Sequence, residues 1–403
     1  MVTLFWLCLI ALFYIYIGYP LLLWVLDRWR TSSFSLRQDF DQIHQQALNS
    51  ADPHTLPFVS VLIAAYNEES VIEATILNKL ESDYPPDRLE ILVASDGSTD
   101  GTDSRVISLA RRLEEENCQT SVKFFRQFWR QGKTSALNFL VTRARGSVLV
   151  VSDANSLYRQ DAIPRLVSHF ADPCVGYVTG RMVYTNPDGS LVGDGCSAYM
   201  RYENRLRILE SRQGGVVGVD GGIDAMRSTL YVPLRADQLP DFVQPLKVAE
   251  KGFVVLFEPQ AIVMEAAHED ASSEWSMRVR VALRAMRALQ DMRHLLNPWR
   301  FRLLSLRLWS HKLLRYLAFI PLLGTLFTAI LLSPGSWFFS LMLVLQLAFY
   351  SLAVLGYRFE QTLGRSALFG LPYYFTLLNL ACLQAFLRFL MSDRVITWEP
   401  RKG

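Results

Sequence analysis

Residues 58–70 read FVSVLIAAYNEES, and this stretch decides the fold. Val59 to Ala64 is a nearly unbroken apolar run rich in β-branched residues, the pattern of a strand buried on both faces. It opens into a polar loop, Ala64 to Ser70, and Glu69–Leu80 then carries the 3.6-residue periodicity of an amphipathic helix. The same alternation repeats downstream. Leu89–Ala94, Val122–Phe125 and Val148–Val151 read as strands, and Thr102–Glu115, Lys133–Arg143 and Asp161–Phe170 as helices. Strands alternating with helices predict an α/β domain with a mostly parallel sheet covered on both faces. Ligands of such sheets bind where loops leave the carboxyl ends of the strands.

Those loops hold the informative side chains. The first carries Tyr66 and Glu68, the second is SDGSTDGT (Ser95 to Thr102), and the loop after the fourth strand is SDANSLY (Ser152 to Tyr158). An Asp at a strand end is more often a helix cap or an Asx-turn residue than a ligand. Three such loops in successive units point to a site. A nucleoside diphosphate would use these groups well. Tyr66 can cover a base, and Asp96 can accept from a base N–H or a ribose hydroxyl. Asp153 and Asn155 offer oxygens to the hard divalent cation that a diphosphate calls for. Gly132-Lys133 at a helix start adds a cation and backbone N–H groups for phosphate. The sequence has no G-x-G-x-x-G and no Walker A motif, which disfavours dinucleotide and P-loop sites.

The chain has 403 residues, 51% hydrophobic and 20% charged, with 41 Lys+Arg against 38 Asp+Glu for a net charge of +3. That balance excludes nucleic-acid binding through bulk charge, and the apolar excess excludes disorder. Five scattered cysteines (8, 118, 174, 196, 382) without C-x-x-C argue against a disulfide framework or zinc knuckle and fit a reducing compartment. Leu4 to Leu26 is 23 uncharged residues, enough to cross about 30 Å of hydrocarbon. Tyr316 to Tyr357 is 42 uncharged residues split at Ser333-Pro334-Gly335-Ser336, read as a helical hairpin. Ser366 to Leu387 adds 22 more. Four crossings are expected. Arg28, Arg30 and Arg37 after the first, with Arg358 and Arg365 later, place the middle of the chain in the cytoplasm of a plasma (inner) membrane protein. The basic tail, Arg388, Arg394, Arg401 and Lys402, conflicts with that even count. The expected organisation is a membrane helix over 1–26, a polar linker over 27–56, a cytoplasmic catalytic domain over 57–275, basic amphipathic interfacial helices over 276–315, three membrane helices within 316–391 and a tail over 392–403.

VSVLIAAYNEES, ILVASDGSTDGT, RQGKTSALN, VLVVSDANSLY and LPDFVQPLKVAEKGFVVLFEP, in that order, resemble the motifs of inverting glycosyltransferase family 2. The likeness is to its membrane-integrated branch, which includes cellulose, hyaluronan and poly-N-acetylglucosamine synthases, and it runs from about Phe58 to Arg315. The resemblance implies a Rossmann-like glycosyltransferase A fold, a nucleotide-sugar donor (a UDP-sugar foremost), Mg²⁺ or Mn²⁺, and a saccharide or lipid-linked acceptor. It implies that Tyr66 and Glu68 contact base and ribose, that Asp96 contacts base or ribose, and that Lys133 lies near the diphosphate. Asp153 becomes the metal Asp of a D-x-D element in which Asn155 replaces the second Asp. Asp241 takes the place of the base that deprotonates the acceptor hydroxyl in a single displacement. Asp241 alternatively reads as an N-cap for Phe242–Lys251. Pro240 departs from an acidic residue common in relatives, removing a charge that could tune Asp241.

Processive relatives carry Q-x-x-R-W where this chain has Met277-Arg278-Val279-Arg280-Val281. Arg280 alone matches, and the absent Trp weakens the expectation of a processive polymerase against a single-transfer glycolipid synthase. Ser276 to Arg315 has ten Lys/Arg against one acid, Asp291, the composition of a helix lying on anionic membrane lipids. Arg278, Arg280 and Arg284 near its start are the candidate clamp for diphosphate or acceptor. Gly221 and Gly222 read either as the floor of an acceptor site or as a turn. Tyr199 to Glu203 reads as helix surface, with an acceptor contact as the alternative. His268 is a lesser metal candidate, and the other five histidines, His311 among them, suggest no role. A transporter or scaffold with a vestigial nucleotide-sugar domain is the rival of another class; no charge lies inside the apolar segments to line a pathway.

Overall fold

The run at residue 59 becomes one of the central strands of an eight-stranded sheet in the computed structural model, which describes residues 1–30, 56–184, 191–265, 271–359 and 366–393. The strands are β1 (Val59–Ala65), β2 (Leu89–Ser95), β3 (Ser121–Arg126), β4 (Val148–Asp153), β5 (Leu157–Tyr158), β6 (Val175–Tyr184), β7 (Ile223–Arg227) and β8 (Val254–Glu265). Their order is β3-β2-β1-β4-β7-β6-β8-β5. The first four are mutually parallel, whereas β7 runs antiparallel to both β4 and β6. The sheet is thus the expected mostly parallel α/β architecture with an antiparallel flank. Every residue of β1 and β2 is buried, which is why both read as largely apolar runs, broken only by Ser60 and Glu90 before their last residues.

Register puts the site together. Ala65 faces Ser95 and Ala64 faces Asp153, so β1, β2 and β4 end level and their loops share one rim, at the point where the strand order reverses. The helix Thr102–Glu115 has the expected bounds, with Val106, Leu109 and Leu113 on its buried stripe. The helix Ile72–Leu80 begins three residues later than the expected Glu69. Residues 68–71 form a turn instead, with Val71 and Ile72 N–H both donating to the Glu68 carbonyl. The Glu69 carboxylate accepts from Gly101 N–H at 3.0 Å, tying the first loop to the second.

The chain divides into two compact units. Of the described residues, those from 56–183 and 210–265 hold the sheet, and those from 1–29, 191–209, 271–359 and 366–393 form a helical unit. Among the described residues of the helical unit, three helices are long and apolar enough to cross a membrane: Val2–Trp29, Trp337–Arg358 and Ala367–Leu390. The first contains a π-helical stretch, Tyr14–Gly18. The expected first arm of the hairpin, Phe319–Leu332, is 14 residues, about 21 Å, too short to span alone. It joins Pro298–Tyr316 at a bend of 54°, and the pair counts as a fourth span only if taken together. Phe5 packs with Ala329 and Phe339, and Tyr19 and Leu23 pack with Leu206.

The basic segment is not a uniform surface helix. Ala271–Asp291 buries Val279, Leu283, Met286 and Leu289, and Arg284 and Arg307 are buried with them. Arg287 donates to the Phe389 carbonyl at 2.7 Å. Two further cations of the segment are drawn inward by acids: Arg278 pairs with Glu274 at 2.7 Å and Arg315 with Glu203 at 2.6 Å. Residues 31–55, Arg365, His268 and the tail from Arg394 lie outside the described residues, and with them most of the linker and most of the tail's basic charge.

Candidate active site

Two loops clasp at the rim. Asn67, at φ 53°, receives Thr99 N–H on its Oδ1 at 2.8 Å and gives its own N–H to Ser98 Oγ at 3.1 Å. Glu68 N–H donates to Thr102 Oγ1 at 2.8 Å. Tyr66 is half-buried, and the Arg130 guanidinium lies 3.9 Å from its ring centroid, so one face of the expected base platform is taken by a cation.

Asp96 is fully buried. Its Oδ1 accepts from Gln131 N–H at 2.7 Å and its Oδ2 from Gly132 N–H at 2.8 Å. Burial pushes its carboxyl up despite those two bonds and the nearby Arg130. The carboxylate therefore shapes the loop that delivers Lys133, and the Gly132 N–H expected to serve a phosphate is already committed. Gly132 has φ 95°, a conformation that favours glycine.

Lys133 pairs with Asp153 through Nζ and Oδ1. Burial pulls its ammonium down, but Asp153 first and Asp241 next raise it on balance. A cavity beside it is lined by Lys133, Tyr177, Gly221, Asp224, Tyr231, Asp241 and Gln244. Asp241 is not an N-cap: the helix Pro240–Glu250 is capped by Leu239, and Asp241 sits in its first turn. Pro240 at the helix start loses no hydrogen bond there. Gly221 has φ +84°, and a Cβ on it would lie 2.9 Å from both Cβ and Cγ of Asp241. The glycine pair is thus more than a turn: Gly221 underlies the Asp241 carboxylate, and the Gly222 carbonyl accepts from Tyr158 OH at 2.9 Å.

The sequence reading missed Asp224. It lies mid-strand in β7, opposite Val151 and Thr179, and is 2% exposed. Burial first, then Asp241 and Asp220, push it up to about 7. Burial thus biases Asp224 toward its neutral form beside Asp241. The sequence signal was a single acid in the short strand Ile223–Arg227. The Asp-Ala-Asn loop is anchored from the helix Ile72–Leu80: Thr75 Oγ1 donates to the Ala154 carbonyl at 2.7 Å, and the buried Lys79 donates to the Ser156 carbonyl at 2.5 Å.

Among the described residues no three His, Cys, Asp or Glu side chains form a metal cage. Asp153 and Asn155 present one carboxylate and one amide oxygen. That set fits a hard divalent cation whose other ligands are diphosphate and water oxygens. Arg278, Arg280 and Arg284 belong to the helical unit, where Arg278 pairs with Glu274 at 2.7 Å.

Carboxylates and a lysine thus share one rim of the sheet with a glycine-floored acid. Residues 60–228 match glycosyl transferase family 2, and the chain carries a domain of that family. It is 31% identical over 141 residues to the beta-monoglucosyldiacylglycerol synthase of Synechocystis sp., covering 34% of this chain and 29% of that protein. It is 26% identical over 229 residues to the poly-beta-1,6-N-acetyl-D-glucosamine synthase of Staphylococcus aureus, covering 56% of this chain and 53% of that protein. The matches thus span from under a third to about half of these relatives' own length. The mannosyltransferase PcManGT from Pyrobaculum calidifontis, solved with GDP-Man and Mn²⁺, superposes with a TM-score of 0.69 at 23% identity, over 97% of this chain and 99% of that one. The shared architecture is the expected glycosyltransferase A fold.

Proposed function

We propose that the chain is a membrane glycosyltransferase that moves a sugar, with inversion, from a nucleoside diphosphate sugar to a saccharide or lipid-linked acceptor. The observation that carries this is Lys133 standing beside both Asp153 and Asp241, a cation between a metal-type acid and a base-type acid. Asp241 takes the proton of the acceptor hydroxyl as its oxygen attacks the anomeric carbon, and the bond from that carbon to the diphosphate breaks. Lys133 leaves Asp153 to meet the departing diphosphate. A divalent cation held by Asp153 and Asn155 would supply Lewis-acid stabilisation of that leaving group. Tyr66 and Glu68 face the base and ribose, and Asp96 acts through the loop it holds. Arg280 and Arg284 are proposed diphosphate or acceptor contacts. The catalytic domain is cytoplasmic in this reading, with the apolar helices in the plasma membrane.

UDP-sugars are the first donors to try, and the GDP-Man complex of the neighbour makes GDP-sugars the second. The relatives' names set the acceptor choice between a growing polysaccharide and a diacylglycerol glycolipid. The test is nucleotide release and product mass from a panel of UDP- and GDP-sugars, with Mg²⁺, Mn²⁺ or chelator, in membranes containing the full chain. Release that vanishes in Asp241→Asn supports the proposal. No release from any donor, or equal release from the variant, sinks it.

A further inference from the structure

The Asp-Ala-Asn loop is held from beneath. Ser156 N–H donates to the Asp153 carbonyl at 3.3 Å, so Asp153-Ala154-Asn155-Ser156 closes as a four-residue turn. Asp153 and Asn155 stay partly exposed on it, whereas Ala154 and Ser156 are buried. Buried side chains meet the turn from below. Thr75 Oγ1 donates to the Ala154 carbonyl at 2.7 Å, and Lys79 Nζ donates to the Ser156 carbonyl at 2.5 Å. Ser156 Oγ donates to Glu265 Oε1. Lys79 and Ser156 are 0% exposed and Glu265 2%, so this serine is gripped by an ammonium at its carbonyl and by a carboxylate at its hydroxyl, both out of water.

Both grips are themselves fixed. Lys79 Nζ also donates to Asn78 Oδ1 at 3.1 Å and lies 3.7 Å from the Tyr158 ring centroid. Asn78 brackets Tyr158, accepting from its N–H at 2.6 Å and donating to its carbonyl at 2.9 Å. Glu265 also lies against the glycine pair: a Cβ on Gly222 would stand 2.8 Å from Glu265 Oε1 and 3.1 Å from Ser156 Oγ. Burying an ammonium and a carboxylate is costly. Here both converge on the residue next to Asn155, and a satisfied buried network of this kind holds its members in one geometry. Groups behind metal ligands orient those ligands. We propose that Lys79 and Glu265 are positioning residues that hold the turn, through Ser156, so that Asp153 and Asn155 present their oxygens to one divalent cation. This inference rests on the cation reading of the Asp-Ala-Asn loop given under the proposed function.

The readout is Mn²⁺ binding and does not depend on sugar transfer. The full chain in nanodiscs is titrated with Mn²⁺ in the presence of UDP, and of GDP in a second arm, and free Mn²⁺ is followed by electron paramagnetic resonance. Each variant is titrated well below its own melting temperature. Lys79→Met and Ser156→Ala should each weaken Mn²⁺ binding about tenfold or more. Glu265→Gln still accepts from Ser156 Oγ and should stay within about threefold of the parent. Leu109→Ala, a cavity in the buried stripe of the helix Thr102–Glu115, lowers the melting temperature without touching the network and should bind Mn²⁺ as the parent does. If Lys79→Met does not fold, Ser156→Ala, the milder change, decides. Asp153→Ala tests the cation reading itself: unchanged Mn²⁺ binding there removes that reading and this inference together. Loss in Asp153→Ala with parent-like binding in Lys79→Met and Ser156→Ala overturns this inference alone. So does a loss in Leu109→Ala as large as in Ser156→Ala, or Glu265→Gln binding as weakly as Ser156→Ala.

Discussion

Gly221→Ala isolates the placement of the Asp241 carboxylate from its chemistry. The backbone there is at φ +84°, where a Cβ costs about 1–2 kcal/mol. The new Cβ would stand 2.9 Å from Asp241 Cβ and Cγ, and closer still to Oδ2, against the 3.4 Å at which ordinary contact begins. The side chain must retreat by at least about 0.5 Å (3.4 − 2.9). A misplacement of about 1 Å at a reacting group costs on the order of 10²-fold, so the expected loss in turnover is about 10- to 100-fold. Asp241→Asn, which removes the base, should lose about 10²- to 10⁴-fold. The strain lowers the melting temperature of a unit this size by about 2–8 °C. The assay follows nucleotide release at saturating donor, donor affinity by calorimetry and unfolding by thermal shift. Donor affinity should hold within about threefold, because Gly221 lies under the base and not under the diphosphate loop. Turnover of Gly221→Ala within about twofold of the parent, while Asp241→Asn is inactive, would refute this placement of the acid.

Asn155→Asp adds a second carboxylate to the cation site and should lower the half-saturating Mg²⁺ or Mn²⁺ concentration about tenfold in a metal titration of turnover; an unchanged titration removes Asn155 from the site. Asp224 titrates at about 7 when folded and near 3.8 when unfolded. Between those values the folded chain keeps a proton that the unfolded chain has released, so this group's stability is present below about pH 4 and lost as pH rises to 7. Asp224→Asn should flatten that slope in melting temperature against pH. Lys79 behaves oppositely: burial lowers it from 10.5 to about 7, partly offset by Glu265. The unfolded chain binds the extra proton between those values, so stability rises with pH from about 7 to 10. Lys79→Met should remove that rise, while the Ser156 carbonyl it leaves bare costs about 1–3 kcal/mol.

The rim of the sheet was legible because it depends on near neighbours in sequence. Each strand ends in its own loop, so Tyr66, Asp96 and Asp153 could be placed together from three local patterns, and level register then followed. What each side chain does there was less legible. Asp96 reads as a ligand group, yet its partners are N–H groups 35 and 36 residues away. Asp241 reads as a base with a helix cap as the alternative, and only the position of Leu239 at the helix start removes the cap. Asp224 escaped because a single acid inside a strand carries no periodic signal.

The basic segment shows the same limit. Arginine spacing gave its amphipathic character, but Glu203, 108 residues before His311 and 112 before Arg315, turns part of that charge inward. The sequence by itself determined the first four strands, the helices between them and the long apolar segments, because hydrophobic period and turn chemistry are local properties. Tertiary structure alone decided which acids lose water and which cation each one meets. Burial and pairing energies depend on distances between residues that the chain order leaves far apart.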